Sequence, residues 1–195
     1  MEKGHKIDIL DHGFVQLIDW MGDDQAIVDA ARTSYGAGTR KVNENDGLIR
    51  RLMRHRHTSP FEMCEIKFLV KIPIFVARQW IRHRTANVNE YSARYSVVPD
   101  EFYIPDNVHI CGQNTTTNKQ GSSGVVPTED AEKWKSYLQR DCDKAFKTYH
   151  CALEIEEIAR ETARMGLPLN TYTKMVWKID LHNFMHFLRL RLDSH

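Results

Sequence analysis

The chain has 195 residues, of which 42% are hydrophobic and 27% charged, with a formal net charge of +1 at pH 7. This composition is typical of a globular protein, and we expect one domain over residues 1–195. The near-zero charge excludes a bulk basic field for nucleic acid, so any anion binding has to be local. No apolar run reaches the length of a membrane span, so we expect no membrane partner.

The cysteines are widely spaced and form no Cys-x-x-Cys pair: they are Cys64, Cys111, Cys142 and Cys151. Cysteines without paired spacing are typical of proteins from a reducing compartment. The cysteine pattern therefore predicts a cytoplasmic protein.

The first third of the chain alternates between strand and helix patterns. The hydrophobic pattern predicts strands at 7–10, 14–20 and 65–72. One helix is expected to begin at Asp23 or Asp24, and a second to begin at Asn43 and end before Ser59-Pro60. Pro73 is well placed to begin a third helix over 74–84.

The remainder of the chain is dominated by helical patterns. A stretch over 106–127 is predicted to lack regular structure, and a long helix is predicted over 128–165. A strand over 172–179 is followed by a last helix that Asp180 caps. Helices interleaved with alternating strands predict an α+β fold, in which an antiparallel sheet packs against helices.

The most informative segment is the polar run from Arg82 to Tyr95, which follows the apolar segment 74–81. Arginine side chains bind planar or polyvalent anions through two parallel hydrogen bonds, so the run predicts an anion pocket. Arg78 and Arg82 are four residues apart and are expected on one helix face, with Gln79 beside them to contact a polar ring. Arg94 is expected to return to them from a loop.

A structural role for the same residues stays open at this point. The arginines would then form salt bridges with Glu62, Glu65 and Glu90. Glu90 stands among cations and is expected to be their ionised partner rather than a general base. Ser92 lacks the Gly-x-Ser-x-Gly turn of serine hydrolases, so we expect it to donate to a phosphate rather than act as a nucleophile.

The last helix carries a second polar group. His182 and His186 share one helix face, as metal-binding pairs do, but no glutamate follows the first histidine and no third ligand has a known spacing. We therefore expect no metal site.

The run from Arg82 to Tyr95 resembles the signature R-H-R-x-x-S-x-N-E-x-S-x-R-Y of the flavin-dependent thymidylate synthases, with Asn87 where the signature has serine. The resemblance continues over segments 8–34, 57–62, 73–80, 167–173 and 190–195. Relatives run on beyond the position of His195 through another helix, so the C-terminus is expected to be truncated.

This resemblance implies an FAD-dependent enzyme that converts dUMP to dTMP. Methylene-tetrahydrofolate would supply the carbon and NADPH the reducing equivalents. The family's members are homotetramers in which several subunits build each FAD site. No cysteine lies in the Pro-Cys-His setting that ordinary thymidylate synthases use for covalent attack, so no enzyme nucleophile is expected.

The resemblance also implies site residues. The FAD contacts would be Ser59, Arg82, His83, Arg84, Asn89, Glu90, Asp180, Leu181, His182 and His186. The dUMP contacts would be Gln79, Arg82, Glu90, Ser92, Ala93, Arg94, Arg164 and Arg191. Arg191 would be the catalytic residue, because a guanidinium at the uracil ring can stabilise negative charge there.

The position of Arg191 also follows from helix spacing. It lies three residues after Leu188 on the apolar face of the last helix, so we expect it to point inward among the core side chains. Arg189 is expected on another face.

Two hypotheses from other classes remain. The basic helix 78–94 could bind nucleic acid, although the chain is near neutral and Trp80 is expected to be buried. Asp180, His182 and His186 could instead serve a metal-dependent hydrolase.

Overall fold

A computed structural model describes residues 2–34, 45–116 and 121–192. The predicted cap at Asn43 and the terminal residue His195 lie outside these ranges. None of the helices within them is both long and apolar enough to cross a membrane.

The centre of the fold is a five-stranded antiparallel sheet. Its strands are β1 (Lys6–Ile9), β2 (Gly13–Met21), β3 (Glu65–Pro73), β4 (Ala86–Glu90) and β7 (Tyr172–Asp180), and their order across the sheet is β1-β2-β3-β7-β4. A separate two-stranded ribbon joins β5 (Cys111–Gln113) to β6 (Ser122–Val125). The predicted α+β fold with an antiparallel sheet is confirmed.

Six α-helices lie within the described residues. They are α1 (Asp24–Arg32), α2 (Asn45–Arg54), α3 (Ile74–Trp80), α4 (Thr128–Glu154), α5 (Arg160–Ala163) and α6 (Leu181–Arg191). Helices α1 and α2 share a core cluster with the 3₁₀ helix Ser59–Met63, and Leu181 and Met185 of α6 pack against it. The Asp23 carboxylate caps α1 as predicted, by accepting from the Ala26 N–H at 2.9 Å.

An aromatic cluster ties α3 and α6 to the sheet. Trp177 of β7 is fully buried, and its ring lies 5.2 Å from that of Trp80 and 5.1 Å from that of Phe187. Phe184 and Phe68 complete the cluster at 6.3 Å each from Trp177. Trp80 is half-buried rather than buried. Large aromatic contacts of this kind dominate core energetics, so they hold α3 and α6 against the sheet.

The helix predicted over 74–84 ends at Trp80, so that prediction was four residues too long. Strand β4 begins at Ala86, which pairs with Ile179 of β7. The chain therefore has to change from helical to extended backbone within five residues, and tertiary pairing overrides the local helical pattern.

Two further predictions were wrong in part. The stretch 106–127 contains the 3₁₀ helix Asn107–His109 and the β5–β6 ribbon. The helix predicted over 128–165 breaks after Glu154, and a short bend precedes α5 and the 3₁₀ helix Arg164–Gly166. Glu157 in this bend has φ +51°, a left-handed conformation that cannot continue a right-handed helix.

Candidate functional site

The polar run begins where β3 passes directly into α3. Pro73 is the last residue of β3 and the cap of α3, as its fixed φ and missing N–H allow. The first free N–H groups of the helix, on Ile74 and Phe75, donate to the carbonyls of Thr171 at 2.9 Å and Leu169 at 3.0 Å. The loop before β7 therefore holds the start of α3, and α3 in turn sets the position of the polar run.

Arg82 lies beyond α3 and does not share a helical face with Arg78, contrary to the prediction. Its N–H donates to the Gln79 carbonyl at 3.3 Å, and that of His83 donates to the Trp80 carbonyl at 3.1 Å. Both hydrogen bonds join residues three apart, and they satisfy carbonyl groups at the end of the helix. The side chains of Arg82 and Arg84 are exposed.

Strand β4 places the middle of the polar run at an edge of the sheet. Its residues Asn87, Val88, Asn89 and Glu90 are all exposed. The sequence analysis predicts no strand here, because asparagine and glutamate are unfavourable in strands. An edge strand with exposed polar side chains presents donors and acceptors outward.

Arg191 of α6 contacts the polar run near the start of that run. Its Nε donates to Nε2 of His83 at 3.1 Å, and its Nη2 lies 3.5 Å from the Gln79 carbonyl oxygen. Burial, Arg191 and His186 lower the pKa of His83 below its usual range. His83 is therefore favoured as a neutral imidazole whose Nε2 accepts the guanidinium hydrogen bond.

The prediction that Arg191 points inward was wrong. Its side chain is exposed, whereas Phe187, one turn earlier, is 7% exposed. Leu190 and Leu192 are 52% and 76% exposed, so the last turn of α6 extends past the aromatic cluster. The spacing from Leu188 indicated the correct side of the helix but not that the core ends before residue 191.

A second group forms around Arg94. Its guanidinium makes two contacts of 3.2 Å with the Glu161 carboxylate, and Arg164 Nε donates to the Glu161 backbone carbonyl at 3.4 Å. Ser92 Oγ accepts from the Arg94 N–H at 3.3 Å, and Ala93 lies between them. Sequence reasoning missed Glu161, and only its position three residues before Arg164 could have indicated it.

Glu90 is held by a threonine rather than by an arginine. Thr173 Oγ1 donates to Glu90 Oε1 at 2.7 Å. Glu65 pairs instead with Lys178 at 2.6 Å. Within residues 2–34, 45–116 and 121–192, the salt-bridge cluster of arginines with Glu62, Glu65 and Glu90 is not formed. Thr173 was also missed, since a threonine in a strand carries no sequence signal of its own.

A third group lies at the other end of α6. Asp180 caps the helix, and its two oxygens accept from the N–H and side-chain amide of Asn183 at 2.8 and 2.7 Å. The Leu181 N–H donates to the Cys64 carbonyl at 2.9 Å. Ser59 lines a nearby cleft of about 480 Å³ together with Pro60 and residues of α1 and α2.

The histidines of α6 differ in exposure. His182 is half-buried and His186 is exposed. Across the parts of the chain that the structure describes, no three His, Cys, Asp or Glu side chains are grouped so as to hold a metal ion.

The structure thus distributes most of the predicted residues over three groups. Gln79, His83, His186 and Arg191 lie together; Ser92, Ala93, Arg94 and Arg164 form the second group; Ser59, Asp180, Leu181 and His182 form the third. Glu90 is bonded to Thr173, and Arg82, Arg84 and Asn89 are exposed outside these groups. Among the described residues, no side-chain hydrogen bond or ion pair links one group to another. Their assignment to FAD or dUMP stays a prediction.

The chain is similar to proteins whose family or structure is known. Residues 16–195 match the family described as Thymidylate synthase complementing protein. A flavin-dependent thymidylate synthase of Gluconobacter oxydans is 56% identical over 190 residues, which are 96% of this chain and 62% of the relative. One from Rickettsia bellii is 54% identical over 200 residues, or 97% of this chain and 68% of the relative. The chain thus spans roughly two thirds of the length of these relatives.

A solved structure of the UMP/dUMP methylase PolB from Streptomyces cacaoi, bound with 5-Br UMP, superposes with a TM-score of 0.79 at 38% identity. The alignment covers 90% of this chain and 75% of that one. The same protein bound with 5-Br dUMP gives 0.79 at 36% identity, over 93% and 79% of the two chains. With a family match over residues 16–195 and this agreement in fold, the chain belongs to the flavin-dependent thymidylate synthase family.

Proposed function

We propose that the protein is an FAD-dependent methyltransferase that converts dUMP to dTMP, with methylene-tetrahydrofolate as the carbon donor and NADPH as the reductant. In the overall balance, the C5 hydrogen of the uracil is replaced by a methyl group. Its carbon comes from the folate, and NADPH supplies the additional hydride. Family membership supports this reaction.

The observation that carries the proposal is the contact between Arg191 and His83. It brings the last helix to the polar run, and the family resemblance implies ligand contacts from both parts of the chain. Because His83 accepts at Nε2 and the Gln79 carbonyl lies at Nη2, the guanidinium is oriented, while its Nη1 makes no hydrogen bond to the described residues. A guanidinium so held can stabilise negative charge at N3–C4–O4 of uracil and raise the nucleophilicity of C5.

The Arg94 group suits the nucleotide phosphate. The Arg94 and Glu161 side chains are 51% and 58% exposed, and an ion pair in that much water contributes only about 0–1 kcal/mol. A phosphate dianion can therefore replace the Glu161 carboxylate at the same fork. Ser92 and Arg164 lie beside it as further donors.

The residues near the start of the run fit FAD by their chemistry. The exposed guanidinium groups of Arg82 and Arg84 match the charge and geometry of a diphosphate. Asn89 and Glu90 offer an amide and a carboxylate from the adjoining edge strand. When bound, FAD would supply the hydride transfer between NADPH and the carbon being reduced.

No side chain is proposed to bond covalently to the uracil. Burial raises the pKa of the Cys64 and Cys142 thiols, which lowers their reactivity as thiolates. Cys111 and Cys151 are half-buried and free. All activation of the ring is assigned to Arg191 and its neighbours.

We further propose a homotetramer with FAD sites shared between subunits. This assembly would explain why one chain holds most of its predicted site residues in three unlinked groups. Residues 1–195 are taken as one domain of that assembly. Free cysteines throughout the chain support a cytoplasmic location.

Purified protein tests the proposal directly. We expect stoichiometric bound flavin, a yellow absorbance spectrum, and bleaching by NADPH that is faster with dUMP present. With methylene-tetrahydrofolate added, dTMP should form and be detectable by chromatography. Parallel reactions with NADH and with UMP test the reductant and the sugar, since the solved neighbour is named as a methylase of both nucleotides.

A colourless protein that FAD cannot reconstitute would contradict the assignment of FAD as the cofactor. Flavin binding without dTMP formation would leave a flavoprotein of another activity. Faster turnover of UMP than of dUMP would identify the ribonucleotide as the preferred substrate. Size measurement by light scattering tests the tetramer separately.

A further inference from the structure

Two buried threonines lie close to the start of β7, one just before the strand and one within it, and their hydroxyl groups differ in what they contact. Thr171 is fully buried, and no partner for its Oγ1 is found among the described residues. Thr173 is 7% exposed, and its Oγ1 donates to Glu90 Oε1 at 2.7 Å. One hydroxyl is therefore committed to a side chain of the polar run, while the other serves as a matched control.

The contact lies where the polar run leaves the sheet. Glu90 is the last residue of β4 and pairs with Met175. The next N–H, on Tyr91, donates to the Lys174 carbonyl at 2.7 Å, after which the chain turns toward Ser92 and Arg94. Thr173 thus bonds to Glu90 at the junction between the edge strand and the loop.

Thr173 is a rigid donor. It lies on β7, which has neighbours on both sides, and it is paired in register with Ile72 of β3. Glu90 is exposed on an edge strand and would otherwise sample several rotamers. Ordering such a side chain on ligand binding costs conformational entropy. A hydroxyl bonded to a carboxylate is a charge-assisted hydrogen bond, so it can remove much of that freedom in advance.

We propose that Thr173 is a positioning residue for Glu90, which it holds with one oxygen engaged and the other presented to flavin and nucleotide. This inference rests on the proposed function, in which Glu90 contacts both ligands. Thr173 itself does not touch either ligand. It acts by fixing the acceptor before they bind.

The test compares Thr173→Val with Thr171→Val, which remove a hydroxyl from each buried threonine at nearly constant volume. We expect Thr173→Val to weaken the binding of dUMP and of FAD by roughly 2- to 10-fold, because each ligand would then have to order the Glu90 side chain when it binds. Thr171→Val should bind both as the wild type does. Thr173→Ser keeps the donor and should restore most of the affinity.

A double-mutant cycle separates positioning from a general structural role. In a Glu90→Ala background, Thr173→Val should have no further effect on either Kd, because the residue through which it acts is gone. Additive losses would overturn the inference. If Thr173→Val does not fold, the ratio of Kd values between Thr173→Ala and Thr173→Ser gives the same comparison.

The inference and the proposed function fail differently. If the wild type binds both ligands and Thr173→Val binds them equally well, the positioning role is wrong and the proposed function stands. If the wild type binds neither FAD nor dUMP, the proposed function is wrong and the positioning role is overturned with it.

Discussion

Strands β4 and β7 are neighbours in the same sheet but differ in what their side chains do. Along β7, alternate residues are buried, and Trp177 contacts four other aromatic rings. Its register partner on β4, Val88, is 41% exposed. Strand β4, which lies within the run that resembles the family signature, contributes little to the core. Strand β7 carries core side chains and also pairs with β4. Side chains with few internal contacts are therefore the ones to which the proposed function assigns ligand contacts on β4.

The largest expected effect is a difference in the free energy of unfolding between a variant of β7 and a variant of β4. Trp177→Ala should lower the free energy of unfolding by about 3–5 kcal/mol, because it leaves a cavity inside the aromatic cluster. Val88→Ala, directly across the ladder, should change it by less than about 1 kcal/mol, as at exposed sites generally. Urea denaturation of both variants measures the difference. An equal loss in Val88→Ala would show that β4 is covered, as by a second copy of the chain.

Next in size is an effect on rate at the end of α6. Arg191→Ala should reduce dTMP formation by roughly 10²–10³-fold, the range for loss of one charge-stabilising donor. Arg189→Ala, at an exposed position two residues earlier, should be tolerated. Steady-state turnover and flavin content are compared in both variants. Full activity in Arg191→Ala, or inactivity in Arg189→Ala alone, would contradict the role assigned to Arg191.

Much of the fold around β4 and β7 could be predicted from the sequence. The alternation in 65–72 and 172–179 indicated the central strands, and the cap at Asp180 indicated the start of α6. The exposed edge strand was missed because Asn87, Asn89 and Glu90 lack strand propensity, and only pairing with β7 makes them extended. Long-range partners such as Glu161 for Arg94 depend on tertiary packing and leave no local pattern.

A smaller effect concerns pH. The pKa of His83 is lowered in the folded protein, so the unfolded chain binds the proton more readily. The stabilisation is complete above the usual value of 6.5 and is lost as pH falls through the lowered value in the folded state. Thermal unfolding between about pH 7.5 and pH 5 should therefore show a steeper fall in Tm for the wild type than for His83→Gln. Parallel curves would show that His83 is not desolvated against Arg191.

The smallest effect is expected at the cysteines. Replacing Cys64, Cys111, Cys142 or Cys151 singly by alanine should leave turnover within about tenfold, because no thiol bonds to the uracil. Each variant is assayed after its flavin content shows that it is folded. Complete loss of turnover in a flavin-bound variant would identify a nucleophile that the proposed reaction lacks.

The pairing of β7 with β3 has a consequence for folding fidelity. The odd-numbered residues Thr173, Met175, Trp177 and Ile179 all face buried surroundings, whereas Lys174 is exposed. A slip of one residue would turn that whole set to the opposite face. It would misplace the Glu90 contact, the aromatic cluster and the start of α6 together. An error of register in β7 would therefore disrupt these three features together rather than one at a time.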